Sequence, residues 1–340
     1  MPNIPILAVF LMIMFILSFI YNNKIYIIIF ILHYKKKVPW YSDLPFNKKS
    51  ISISTTEWLS EIKDETDIRD LSIPGTHDSA TSKFEGCCQC WINFMSQVQS
   101  WSIEDQLLSG IRYFDLRPAG DGFIYHGAHK TIYTFDGTFN IFKKFLNEHK
   151  KEFLIIRVYF QEKKYGNDIE ECKKNVIYSV FDKMNDLIYN DDDYDNFNVG
   201  KVRGKMILIL QKLSYNNCLI WDEESDFFQI QDYFNFFGTR GAEIEKKKSL
   251  VKKYMFSQEN KKLIINHCSA IGRGVLTTLR FVAYSVNQMP YEEKGFKGIF
   301  AFDFPGEGLI QHVIEQNKIY MNNNVQLIES KENFREVEVV

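Results

Sequence analysis

The feature that most constrains this chain is a recurrence of short apolar runs, each long enough for one strand, with helical patterns between them. The runs cover residues 69–73, 113–116, 123–125, 153–159, 206–210, 227–230, 263–266 and 298–302. Several are continuously apolar instead of alternating, and a strand with that pattern is covered on both faces. Helical periodicity lies over 138–149, 168–189 and 242–255, with a short helix near 57–63 and a last one from Pro305-Gly306 through Gln316. This alternation predicts an α/β fold with a parallel sheet. Eight strands predict a closed (β/α)8-type barrel, and 340 residues suffice for one barrel with additions. An open α/β sheet would carry a similar pattern.

Composition excludes several function classes. The 41 Lys and Arg against 43 Asp and Glu leave a net charge of −2, which argues against a nucleic-acid binder that relies on global positive charge. At 45% hydrophobic residues the chain can bury a sizeable core. Six Cys are too sparse for a disulfide scaffold, and Cys87, Cys88 and Cys90 fit no usual zinc spacing, so they read as core or loop thiols. The acidic loop 190–196 reads as solvated, and the seven Lys between 246 and 262 as the coat of a helix face that could also meet anionic lipid.

The N-terminus complicates the picture. Residues 4–21 form an apolar run that resumes at 25–34 before Lys35, Lys36 and Lys37. Eighteen residues at about 1.5 Å rise span roughly 27 Å, close to a hydrocarbon core. No basic leader or small-residue cleavage site is evident, so the run reads as a retained single-pass anchor in place of a cleaved signal. The lysine cluster and the lack of an N-x-Ser/Thr sequon favour a cytoplasmic domain. The expected organisation is an anchor over 1–37, a linker over 38–54, a catalytic barrel over 55–320 and a polar tail over 321–340.

Chemistry-bearing residues follow the apolar runs. The first leads into Pro74-Gly75-Thr76-His77-Asp78-Ser79, the second into Asp115-Leu116-Arg117, the third into His126-Gly127 and the last into Asp303. In a barrel, carboxyl ends of strands share one face, where active sites are built. Two imidazoles can exchange protons near neutrality and an arginine can hold an anion, so the set suits acid–base work on a phosphate ester. Each residue alone has an ordinary structural explanation, and it is their placement at successive strand ends that points to a site. His129 reads as loop, and His149 and His33 as non-functional.

Three stretches carry a family resemblance: LSIPGTHDSAT (71–81), QLLSGIRYFDLRP (106–118) and YHG (125–127). They resemble the X-domain signature of the bacterial-type, single-domain phosphatidylinositol-specific phospholipases C. Weaker matches occur at 145–158, 204–210, 230–234, 263–270 and 298–304, so the likeness spans about 55–318. It implies a distorted TIM barrel that cleaves a membrane inositol phospholipid into diacylglycerol and inositol 1,2-cyclic phosphate. His77 is then the general base, Asp303 orients it, Arg117 stabilises phosphoryl charge, His126 is the general acid supported by Asp78, and Asp115 holds Arg117. Arg117 stands where metal-dependent members of the superfamily place a cation, so no calcium requirement and no metal or other cofactor are expected.

The head-group pocket departs from the pattern. Asp232 matches, Phe234 stands for a tyrosine, and Lys212 is the cation nearest an expected arginine. The lysine expected after the fourth strand falls at Tyr159 or Phe160. Phosphatidylinositol and a glycosylphosphatidylinositol both remain open as substrate. The loop 84–101, with Trp91, Phe94 and Trp101, reads equally as an interfacial segment or as packing under the rim. A monomer without a protein partner is expected. Two other readings are a catalytically weak phosphoinositide-binding membrane protein and a glycerophosphodiester phosphodiesterase-like enzyme, which would need a carboxylate cluster that the sequence does not display.

Overall fold

The computed structural model describes residues 54–86, 96–161, 169–191, 193–235, 240–259, 261–271 and 279–322. The apolar runs at 4–34, Cys87, Cys88, Cys90, Trp91, Phe94 and the tail from 323 lie outside these residues. Among the described residues ten strands occur in chain order: β1 (Ser72–Thr76), β2 (Tyr113–Leu116), β3 (Phe123–His126), β4 (His129–Thr134), β5 (Leu154–Tyr159), β6 (Met206–Gln211), β7 (Leu219–Ile220), β8 (Phe228–Gln231), β9 (Leu263–His267) and β10 (Gly298–Phe302).

Eight of them form one all-parallel sheet in the order β7-β6-β5-β2-β1-β10-β9-β8. β7 and β8 are its two edges, so the barrel is open, consistent with a distorted TIM barrel and different from the closed ring expected. β7 has two residues and cannot supply a long ladder for closure. β1, β2, β9 and β10 are buried at every position, including the polar Ser72, Thr76, Asp115, Asn266 and His267. β1 and β2 approach so closely that a Cβ on Gly75 would lie 2.7 Å from that of Tyr113. A larger residue there would push apart the two strands that carry the site.

Five helices matter for the packing: α1 (Ile103–Leu108), α2 (Phe135–Glu148), α3 (Arg240–Met255), α4 (Leu279–Glu292) and α5 (Glu307–Glu315). α2 starts at Thr134, whose hydroxyl accepts the Gly137 amide at 3.1 Å. Its Phe135, Phe139 and Phe142 recur at helical spacing, are fully buried, and stack at 4.7 Å (Phe135–Phe139) and 4.9 Å (Phe142 on Phe114 of β2). Each such ring contributes about 1.5–3 kcal/mol of burial.

Several expectations need correction. The apolar run 123–125 is not a barrel strand: β3 and β4 form an antiparallel hairpin closed by Gly127 and Ala128, with Gly127 at φ +55°. His129 therefore lies in a strand and not a loop, and the short β7 fills the eighth barrel place. The helix expected over 168–189 is broken into Ile169–Cys172, a π-helical stretch Lys173–Tyr178, and Ser179–Lys183. Lys247, expected on a solvated face, is completely buried.

The expected membrane location through an N-terminal span is also corrected. Among the described residues no helix is long and apolar enough to cross a membrane. The run that suggested one lies outside those residues.

Candidate active site

Sheet register assembles the site. Thr76 pairs with Phe302 and with Phe114, so the residues that follow, His77, Asp303 and Asp115, come side by side at the carboxyl end of the sheet. His77 Nδ1 lies 2.8 Å from Asp303 Oδ1, and Arg117 Nη2 donates to His77 Nε2 at 2.8 Å. Because Nε2 accepts from the guanidinium, the ring proton sits on Nδ1 and is directed at Asp303. The same Arg117 Nη2 donates to Asp115 Oδ2 at 2.9 Å, and its Nε is 2.9 Å from Asp78 Oδ1 without hydrogen-bond alignment.

Asp78 joins the two histidines. Its Oδ2 lies 3.3 Å from His77 Nε2 and 3.3 Å from His126 Nε2, and the two rings are nearly perpendicular with centroids 6.2 Å apart. His126 Nδ1 is 2.6 Å from the Ser96 carbonyl, which accepts its N–H. Asp78 adopts φ +43°, unusual for a non-glycine residue, and is held there by Thr81, whose amide and hydroxyl both bond its carbonyl. His77 is fastened as firmly: its amide donates to the Phe302 carbonyl, and the Gln99 side chain donates to its carbonyl at 2.7 Å. All six catalytic candidates, His77, Asp78, Asp115, Arg117, His126 and Asp303, thus meet in one place.

Burial sets their protonation. Desolvation, reinforced by Arg117, holds His77 well below the ordinary 6.5, so the ring is a neutral acceptor. Burial works against the Asp115 charge, but the Arg117 and Arg157 guanidiniums outweigh it and hold that carboxyl far below its usual range. Desolvation also works against the Arg117 charge, yet Asp115 and Asp78 keep it firmly charged. Burial raises Asp78 and Asp303.

A second group of residues went unnoticed in the sequence. Arg157, opposite Asp115 in the β2–β5 register, donates to Asp115 Oδ1 at 3.2 Å and to Gln211 Oε1 at 2.6 Å, and lies 3.9 Å over the Trp221 ring. His267 at the end of β9 is fully buried, packs edge-on against His77 and Trp221, and has no hydrogen bond at either nitrogen. Burial pushes it down to about 4. Both interrupt apolar strand runs, a polar-in-strand signal that could have found them.

Of the head-group candidates, Asp232 follows β8, a quarter exposed, with Oδ1 4.0 Å from His267 Nδ1. Burial opposes its charge, but His267, Arg157 and Lys247 together lower it. Phe234 is exposed two residues on, and Lys212 is an exposed residue at φ +61° with its ammonium 5.2 Å from the Tyr159 ring. Donor atoms of His77, Asp115 and His267 lie within 4.8 Å of one another. They do not fit a metal ion: both Asp115 oxygens are already bound to guanidiniums, which would face the dication.

The chain is 29% identical over 289 residues to the 1-phosphatidylinositol phosphodiesterase of Listeria monocytogenes, covering 78% of this chain and 86% of that one. The solved phosphatidylinositol-specific phospholipase C of Listeria monocytogenes superposes with a TM-score of 0.65 at 25% identity, over 78% of this chain and all of that one. This chain is a homologue of bacterial phosphatidylinositol-specific phospholipase C. A fluorinated variant of the Staphylococcus aureus phosphatidylinositol-specific phospholipase C shares the fold, with a TM-score of 0.64 at 18% identity over 79% of this chain and all of that one. No protein-family model matches.

Proposed function

We propose that this protein is a phosphatidylinositol-specific phospholipase C, with residues 55–320 as its catalytic unit. It cleaves an inositol phospholipid to diacylglycerol and inositol 1,2-cyclic phosphate. The observation that carries the reading is the convergence of His77 Nε2 and His126 Nε2 on one oxygen of Asp78, beside a guanidinium held by Asp115. The same reading takes the enzyme as a monomer.

Neutral His77, its Nδ1–H on Asp303, takes the inositol 2-hydroxyl proton at Nε2. The freed oxygen attacks phosphorus within the same molecule, so orientation supplies much of the acceleration. As the bond from phosphorus to the glycerol oxygen breaks, His126 Nε2 gives that oxygen a proton. The Ser96 carbonyl accepts Nδ1–H at 2.6 Å and Asp78 Oδ2 faces Nε2 at 3.3 Å, which orients the ring for this transfer. Arg117 leaves His77 Nε2 when phosphate enters and stabilises charge on the phosphoryl oxygens. Asp232, Phe234 and Lys212 contact the head group. The Arg117 and Arg157 charges around Asp115 support catalysis without a metal.

Phosphorus NMR on phosphatidylinositol vesicles in EDTA tests the reading, with a cyclic phosphate signal as the expected result. An acyclic product that requires added metal overturns it in favour of a glycerophosphodiester phosphodiesterase. Vesicle binding without any product overturns it in favour of a lipid tether.

A further inference from the structure

Lys247 breaks the pattern of its own helix. Lys246, Lys252 and Lys253 of α3 are exposed, whereas Lys247 is fully buried. Removing an ammonium from water costs several kcal/mol, and a methionine of similar length would fill the space without that penalty. A lysine here needs an explanation beyond packing.

Its hydrogen bonds supply one. Nζ donates to the Tyr233 carbonyl at 2.7 Å and to Gln231 Oε1 at 3.1 Å, and Gln231 Oε1 also accepts the Tyr233 amide at 2.8 Å. Gln231 Nε2 in turn donates to Asn266 Oδ1 at 2.8 Å and to the His267 carbonyl at 2.9 Å. Asn266 Nδ2 closes the loop on the Val251 carbonyl of α3 at 2.8 Å, one turn after Lys247. The ring of bonds grips the residues on both sides of Asp232 and leaves the Asp232 carboxylate itself unclaimed by the lysine, a quarter exposed at the end of β8. The ammonium also helps keep Asp232 ionised, and burial lowers the lysine itself to about 8.

We propose that Lys247 is a positioning residue for head-group recognition: by clamping Gln231 and Tyr233 it fixes the Asp232 carboxylate where it accepts hydroxyls of the inositol ring. The proposal rests on the head-group role of Asp232. A disordered carboxylate must be immobilised by each substrate, so loss of the clamp weakens binding more than it slows proton transfer at His77, which other strands hold.

The test uses the full chain and a short-chain phosphatidylinositol that stays monomeric. Lys247→Met raises KM about tenfold, the loss of one or two buried hydrogen bonds, with kcat within threefold of wild type. Lys247→Gln, which keeps a donor without the charge, gives an intermediate KM. The double variant with Asp232→Asn has a KM no higher than Asp232→Asn alone. A merely structural role lowers the active fraction, hence kcat, and leaves KM in place, which overturns the proposal; so do effects on KM that multiply in the double variant. If Lys247→Met does not fold, Gln231→Leu removes the same acceptor and is judged by the same criteria. An unchanged KM for Asp232→Asn removes the head-group role and the clamp together while cyclic phosphate formation stands. Absence of turnover by wild type overturns the phospholipase reading itself.

Discussion

Two arginines flank strand β2, one at each end of the barrel, and both meet buried carboxylates. Arg112 at the lower end has every direction filled. Its Nε donates to Glu152 Oε2 at 2.8 Å, its Nη1 to the Leu107 and Ile111 carbonyls, its Nη2 to the Thr56 carbonyl, and Phe145 stacks on it at 4.8 Å. Glu152 Oε1 accepts the Ser60 amide, and the two side chains are 0% and 1% exposed. Arg117 at the mouth is 20% exposed, its Nε makes no hydrogen bond, and neither does Asp78 Oδ2 beside it. The difference teaches what separates a structural ion pair from a working one. A saturated pair holds the fold. A pair with open valences, next to a backbone at positive φ, leaves donors and acceptors that the proposed substrate can use.

The largest effect that can break this comparison is at His77. His77→Ala is expected to lose turnover about 10²- to 10⁴-fold, the range for a general base, while remaining folded at pH 7. A near-normal rate sinks the mechanism. The arginines should then separate. Arg117→Met is expected to lower kcat about 10²- to 10³-fold with a smaller stability change, because Asp78 can take a proton and Arg157 still neutralises Asp115. Arg112→Met strands Glu152 in the interior and is expected to cost about 3–5 kcal/mol of stability by urea denaturation, with kcat of the folded fraction nearly normal. If the folded Arg112 variant loses turnover as deeply as the Arg117 variant, the two ends do not divide their labour in this way.

The pH profile sharpens the same contrast. His77 must be neutral to accept a proton, and burial and Arg117 both lower its affinity for one. The acid limb of kcat/KM is therefore expected below pH 6.5, with activity retained until the pH falls through the lowered value. Residual activity of Arg117→Met should show that limb moved toward higher pH. An unmoved limb would mean that the guanidinium does not act on His77.

How much of this was legible depends on which face of the chemistry a residue presents. His77, Asp115, His126 and Asp303 stand at or just beyond the ends of apolar runs, and strand register alone brings His77, Asp115 and Asp303 together. Seven of the eight barrel strands lie on or beside runs that the sequence marks as strands. The hairpin did not, because β4 alternates weakly and its Gly127-Ala128 turn is brief. β7 is too short to carry a pattern. α1 has six residues, below what periodicity can resolve, and α4 was overlooked although its apolar face is regular. Arg157, His267 and Lys247 were hidden for a common reason. Each sits inside a regular element, and only tertiary structure shows whether a polar residue there faces solvent, a partner or the barrel interior.

His267 gives the smallest and most specific expectation, set in the half of the mouth that the sequence left obscure. In the fold it is neutral and without hydrogen bonds, with its protonation pushed down to about 4, whereas an unfolded chain binds that proton near 6.5. Between those values the unfolded state holds more protons, so stability is complete above pH 6.5 and declines as pH drops toward 4, by about 3 kcal/mol at most. His77 adds a contribution of the same sign, so the wild-type decline has two sources. His267→Phe removes one of them, and its two unsatisfied nitrogens with it. Its melting temperature should equal or exceed that of wild type at pH 7 and fall less steeply from pH 6.5 to 4. Parallel profiles for the two proteins would show that His267 finds a proton or a partner in solution and is no silent part of the barrel wall.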